Sequence, residues 1–132
     1  MKFRRTKQSK PVAPKTFPSG ICVKTEIGHY YINGNFRHRL GSKRIFESWA
    51  FPFVAETSEA ALKNYRRGRK LGFRDGSLVR RISDGKLYFI SKRQRRLVND
   101  VDTLVALGLS PKDAVWASDY ELEYTSEGEI LE

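Results

Sequence analysis

Seven blocks of this sequence occur twice in the same order, and a tandem repeat constrains a fold more tightly than composition does, since each copy has to be one supersecondary unit. Gly20-Ile21-Cys22-Val23-Lys24 matches Gly76-Ser77-Leu78-Val79-Arg80, and Tyr30-Tyr31-Ile32-Asn33 matches Tyr88-Phe89-Ile90-Ser91. Arg37-His38-Arg39-Leu40 falls opposite Arg95-Arg96-Leu97, Phe51-Pro52 opposite Ser110-Pro111, and Ser58 to Leu62 opposite Ser118 to Leu122. Gly68 and Leu71 then answer to Gly128 and Leu131. With 132 residues there is room for one ordinary domain or two very small ones, and units that small would lean on each other.

Both copies read the same way. In the second, Leu78 to Ile82 and Leu87 to Ile90 are strand-like runs around Ser83-Asp84-Gly85-Lys86, whose Asp-Gly is a hairpin signal. Asn99 or Asp100 caps a short helix that Gly108 ends in a left-handed conformation, Ser110-Pro111 opens a second helical turn, and Ser118 begins a third segment. In the first, Ile21–Val23 and Tyr30–Ile32 form the hairpin, Asn33-Gly34 turns the chain, and Ser42 caps a helix presenting Ile45, Phe46 and Trp49. The expected fold class is α+β and β-rich, with two tandem units of hairpin plus short helices at 20–74 and 75–132. An extended basic arm, 1–19, precedes them; with Pro11, Pro14, Pro18 and few apolar residues it has no core to fold around.

Charge is uneven. The arm carries six cations and no acid, residues 20–75 eleven cations against five acids, and residues 76–132 eight against ten. A field of this kind favours an acidic partner, a phosphate backbone or an acidic protein surface. The candidate partner-binding residues are Arg4, Arg5, Lys7 and Lys10 in the arm, Arg66, Arg67, Arg69 and Lys70, and Lys92, Arg93, Arg95 and Arg96. For the arm a partner contact is the favoured reading. Lys92 to Arg96 equally suit a strand edge kept from unwanted pairing. Tyr30, Tyr31, Tyr88 and Phe89 read as core, with base stacking as the alternative.

Catalytic patterns are missing from the sequence: it has no His-Glu-x-x-His, Cys-x-x-Cys or Gly-x-Ser-x-Gly arrangement. His29 reads as a surface or edge-strand residue and Cys22 as a small buried hydrophobe. Gly68, Gly72 and Gly76 lack the spacing of a phosphate loop. No enzyme activity, metal or cofactor is expected. No apolar run approaches the roughly 20 residues that span a bilayer, so no membrane partner is expected. The start, Met1 to Arg5, is followed by Thr6-Lys7-Gln8-Ser9-Lys10 where a signal peptide would turn apolar, and Cys22 has no partner for an internal disulfide; both point to the cytoplasm.

The second copy carries a further pattern: Asp75-Gly76-Ser77-Leu78-Val79, Lys86 to Ile90, Arg95-Arg96-Leu97, Leu107-Gly108-Leu109, Val115-Trp116-Ala117-Ser118 and Gly128-Glu129-Ile130-Leu131. It resembles a small repeat of bacteriophage virion proteins and some bacterial surface proteins. The match is weaker over 20–73, where Cys22 stands in the opening strand, Trp49-Ala50-Phe51 replaces the glycine that ends the helix, and Arg66 to Lys70 are basic. The resemblance implies a non-enzymatic adhesion or assembly module. The leading expectation is therefore a virion structural protein of the head, neck, tail or baseplate, assembled in the host cytoplasm against other virion proteins in a symmetric array. The alternative is a nucleic-acid-binding protein, such as a ribosome-associated one.

Overall fold

The computed structural model describes residues 16–132. Two five-stranded mixed sheets carry the chain, with short helices between strands. In the first unit β1 (Cys22–Lys24), β2 (His29–Asn33) and β3 (Phe36–Arg39) form an antiparallel meander, followed by α1 (Lys43–Trp49), β4 (Ala55–Glu56), a 3-10 turn (Ala60–Leu62) and β5 (Arg66–Arg67). The second unit repeats this with β6 (Leu78–Arg81), β7 (Leu87–Ser91), β8 (Gln94–Val98), α2 (Val101–Ala106), a 3-10 turn (Pro111–Asp113), β9 (Val115–Ala117), α3 (Asp119–Leu122) and β10 (Ser126–Glu127). Sheet orders are β4-β1-β2-β3-β5 and β9-β6-β7-β8-β10, and in both the outer strands pair parallel to the meander.

The repeat is thus structural down to single hydrogen bonds. Gly20 N–H donates to Ile32 O at 2.8 Å and Gly76 N–H to Ile90 O at 2.7 Å. Gly68 N–H meets Arg37 O at 2.9 Å and Gly128 N–H meets Arg95 O at 3.0 Å, while Leu71 and Leu131 close the two sheets through equivalent bridges to Leu40 and Val98. The expected hairpin-plus-helices is therefore incomplete: each unit has a third antiparallel strand and two short parallel edge strands. Two-residue strands such as Arg66–Arg67 carry no readable alternation, which is why the sequence pattern passes over them.

Alternation along β2 sends Tyr30 and Ile32 to one face with Val23, Leu62 and Tyr65, and Tyr31 with Cys22 to the other, under α1. In the second unit Val79, Tyr88, Ile90 and Leu122 occupy the first kind of face, while Leu78, Leu87, Val98 and Leu104 lie under α2. The α1 face of the first unit and the α3 face of the second merge into one core, from Cys22, Leu40 and Ile45 through Phe73 to Val79, Ile90 and Leu122. Burying a side chain such as Ile45 or Ile90, both at 0% exposure, contributes about 1.5–3 kcal/mol. Tyr30 and Tyr88 are core, as expected; Tyr31 and Phe89 are half-buried against it.

The units therefore join head to tail, through non-equivalent faces. The α1 face shares one core with the second unit, whereas the matching α2 face forms a separate core beneath its own helix. On that helix and its exit Val101, Val105 and Leu107 are 48%, 63% and 56% exposed.

Candidate functional site

The cations singled out in the sequence meet different fates. Arg66 and Arg67 form β5, parallel to Phe36 and Arg37 of β3, and both are exposed. Gly68 lets this strand close onto the His38 imidazole, whose Nδ1 lies 2.9 Å from Arg69 O, so His38 is occupied in fixing the backbone from which Arg69 and Lys70 leave the sheet. Arg95 donates Nη1 to the carbonyls of Leu122 and Thr125. Arg96 donates Nε to Glu129 O at 3.0 Å and Nη2 to Ile130 O at 3.3 Å. Both thus fasten the closing segment of the second unit, and β8 is covered by β10, so neither guards a sheet edge. Arg4, Arg5, Lys7 and Lys10, and with them most of the expected arm, lie outside the described residues.

Four cations converge. Arg69 and Lys70, leaving the first sheet, line a groove of about 450 Å³ at the seam between the units, together with Lys92 and Arg93, the two-residue turn between β7 and β8. Gln94 and the segment Glu123–Ser126 complete it. It runs into a cavity of about 280 Å³ walled by Trp49, the linker Leu71–Asp75 and Tyr124, sharing Arg69, Lys70 and Arg93. Among the described residues none of the four cations has a carboxylate within ion-pair distance.

The geometry of these residues is imposed. Lys92 and Arg93 both take left-handed backbone, φ 52° and 62°, in a turn whose counterpart in the first unit holds Gly34 at φ 60°. Asp75 Oδ1 accepts the Arg93 N–H at 3.0 Å and ties the turn to the linker. On the seam itself, Trp49 donates Nε1 to Gly72 O at 3.0 Å and Tyr124 bonds the Tyr120 hydroxyl. Burial, with the Tyr120 hydrogen bond behind it, pushes the Tyr124 phenol up to about 12, so it stays neutral. Sequence reasoning missed Trp49 and Tyr124 as groove residues. The available signal was a break in the repeat, Asn64 standing where the second unit has Tyr124.

The remaining reactive side chains sit elsewhere. His29 lies on the central strand β2, not at an edge, and stacks on Phe46 with centroids 3.8 Å apart. Burial, then Lys24 and Arg39, lower its pKa below the usual imidazole value, so it is neutral at physiological pH. Cys22 is 1% exposed and burial pushes its thiol up to about 11. Glu59 accepts from Thr25 at 2.6 Å, Tyr30 at 3.3 Å and Arg37 at 3.0 Å, a network that holds the first unit together. No cluster of three or more metal-ligating side chains forms among the described residues, and no described helix is long and apolar enough to cross a membrane.

No family model matches the chain and no curated protein matches it. Among solved structures it is similar to a chain of the periplasmic assembly from the ESX-5 inner membrane complex, at a TM-score of 0.35 and 15% identity, covering 88% of this chain and 42% of that one. The chain thus spans less than half the length of that relative, and a likeness so distant bears on neither partner nor activity.

Proposed function

We propose that this chain is a non-enzymatic structural protein of a bacteriophage virion, a head, neck, tail or baseplate component that docks on neighbouring subunits through the α2 end of its second unit. The observation that carries the docking is an exposed apolar cluster on α2. Val101, Val105 and Leu107 are exposed together on one short helix and its exit, and at the positions of α1 that the caps Ser42 and Asp100 align with Val101 and Val105, that helix carries the exposed charged residues Lys43 and Glu47. Exposed apolar groups clustered in this way mark interaction surfaces. A heterologous contact of the kind already present between the units can continue from subunit to subunit, as an array requires. The virion itself is supported by the sequence resemblance over residues 75–131.

Two measurements test this reading. The protein should copurify with particles at fixed stoichiometry after nuclease treatment; release by nuclease would overturn it. Val105→Glu with Leu107→Glu alters exposed positions only, so circular dichroism and melting should hold while incorporation is lost. Normal incorporation of that variant would remove the α2 face from the proposal.

A further inference from the structure

We propose that the seam groove binds the phosphodiester backbone of a single-stranded nucleic acid, with Arg69, Lys70, Lys92 and Arg93 on phosphates and the half-buried rings of Tyr124 and Trp49 as the contacts for the bases. This inference does not depend on the virion reading and concerns a different surface from the α2 face.

Three observations converge on it. Segments 69–70 and 92–93, far apart in sequence, line one groove in which Glu123 is the single acidic residue, and among the described residues none of the four cations forms an ion pair. Like charges gathered this way repel one another, and an anion between them removes that repulsion. The Lys92–Arg93 turn is the second observation. A two-residue hairpin turn with left-handed backbone at both positions favours Asn-Gly, yet here two side chains with Cβ atoms hold φ 52° and 62°. Strain of this kind, observed at a cationic tip, points to a function for the tip. The third is the continuation of the groove over Tyr124 and Trp49. Cations beside aromatic rings suit phosphates with bases attached, since contact with a ring tolerates any base; an acidic peptide has no use for the rings.

Binding of a fluorescein-labelled mixed-sequence deoxyoligonucleotide of about 20 nucleotides to the full chain, followed by anisotropy across a salt series, tests the site, since each phosphate neutralised contributes about 0.7 to the salt slope of single-strand binding. The informative variant is Lys92→Asn with Arg93→Gly, which removes two cations while giving the turn the residues it favours, so the fold is kept. Its expected signature is a loss of roughly tenfold in affinity and a salt slope shallower by about 1.4, with the melting temperature unchanged or higher. Tyr124→Leu should narrow the preference for single strand over duplex. A full chain with Arg4, Arg5, Lys7 and Lys10 changed to Gln should keep most of the binding, and Val105→Glu all of it. The proposal is overturned if the turn variant binds with unchanged affinity and slope, if the arm variant alone abolishes binding, or if polyglutamate displaces the oligonucleotide as well as unlabelled oligonucleotide does.

Discussion

Ser42, at the N-terminus of α1 in the first unit, donates its hydroxyl to the carboxylate of Glu121 in the second, so the cap of one helix is wired to the cap of another across the seam. Glu121 simultaneously accepts from Ser118 N–H at 2.9 Å, closing the capping box of α3, and from Arg44 Nη1 at 3.2 Å. Its side chain is 7% exposed.

Burial alone would raise the Glu121 pKa, but the hydrogen bonds from Ser118 and Ser42 and the charge of Arg44 outweigh it, and the folded value lies below the ordinary 4.5. A carboxylate with a depressed folded pKa stabilises the fold above its unfolded pKa, and that contribution is lost as pH falls through the folded value. Replacing Glu121 by Gln should therefore cost about 1–3 kcal/mol at neutral pH, since its buried donors lose a charged acceptor. The same variant should show a flatter loss of stability on acidification. Urea midpoints of the two proteins at about pH 7 and about pH 3.5 provide the check. Equal acid slopes would mean that Glu121 is not ionised in the fold.

The pair Arg37–Glu59, 3.0 Å apart at 6% and 18% exposure, lies beneath the first sheet with the guanidinium over the Tyr30 ring at 5.3 Å. Glu59→Ala leaves that guanidinium buried without its carboxylate and should destabilise by about 3 kcal/mol. Arg37→Met combined with Glu59→Leu removes both charges and should recover most of the loss. Chemical denaturation of the single and double variants measures the difference. A double variant as unstable as Glu59→Ala would show that packing, and not the stranded charge, sets the cost.

The parts of this fold that were legible in the sequence are those where one residue type has one physical use. Asp84-Gly85 turns β6 into β7 with Gly85 at φ 75°, and Ser42, Asp100, Ser110 and Ser118 each accept a backbone N–H at a helix start. The repeat also made the paired roles of Leu71 and Leu131 visible. The short parallel strands were not legible, because two residues have no period and their partners lie far back in the chain. The groove escaped for a related reason: a run of Lys and Arg does not say which guanidinium will be taken by a carbonyl. Arg95 and Arg96 are taken, while Lys92 and Arg93 line the groove.

Cys22 offers a direct probe of opening. Its thiol is buried in the shared core and its pKa is pushed up to about 11, so at about pH 8 roughly one thiol in a thousand is ionised even before access is considered. A chromogenic disulfide reagent should leave the native protein unmodified over minutes and titrate one thiol per chain at once in denaturant. Fast labelling of the native protein would show that the core around Cys22 opens locally, well below the global unfolding free energy.

Helix α1 ends on Ala50, at φ 49° and ψ 48°, where the equivalent helix α2 is followed by Gly108 at φ 79°. The two residues do the same work, sending N–H groups to Glu47 O at 3.2 Å and Val105 O at 3.0 Å. Left-handed backbone costs a residue with a Cβ about 1–2 kcal/mol, and glycine avoids that cost while losing about 0.5–1 kcal/mol more conformational entropy on folding. Ala50 is exposed, so its methyl group contributes little burial. Ala50→Gly should therefore stabilise the protein by about 0.5–1 kcal/mol, raising the melting temperature by roughly 2–5 °C. Gly108→Ala is the reciprocal experiment: a Cβ there meets nothing within 4 Å, so its whole effect is backbone, and the variant should melt lower by a similar margin. Opposite shifts in differential scanning calorimetry confirm that the two units end their helices by one device. A lower melting temperature for Ala50→Gly would show that α1 frays before residue 50 and that its aromatic neighbours, Trp49 and Phe51, hold the exit instead.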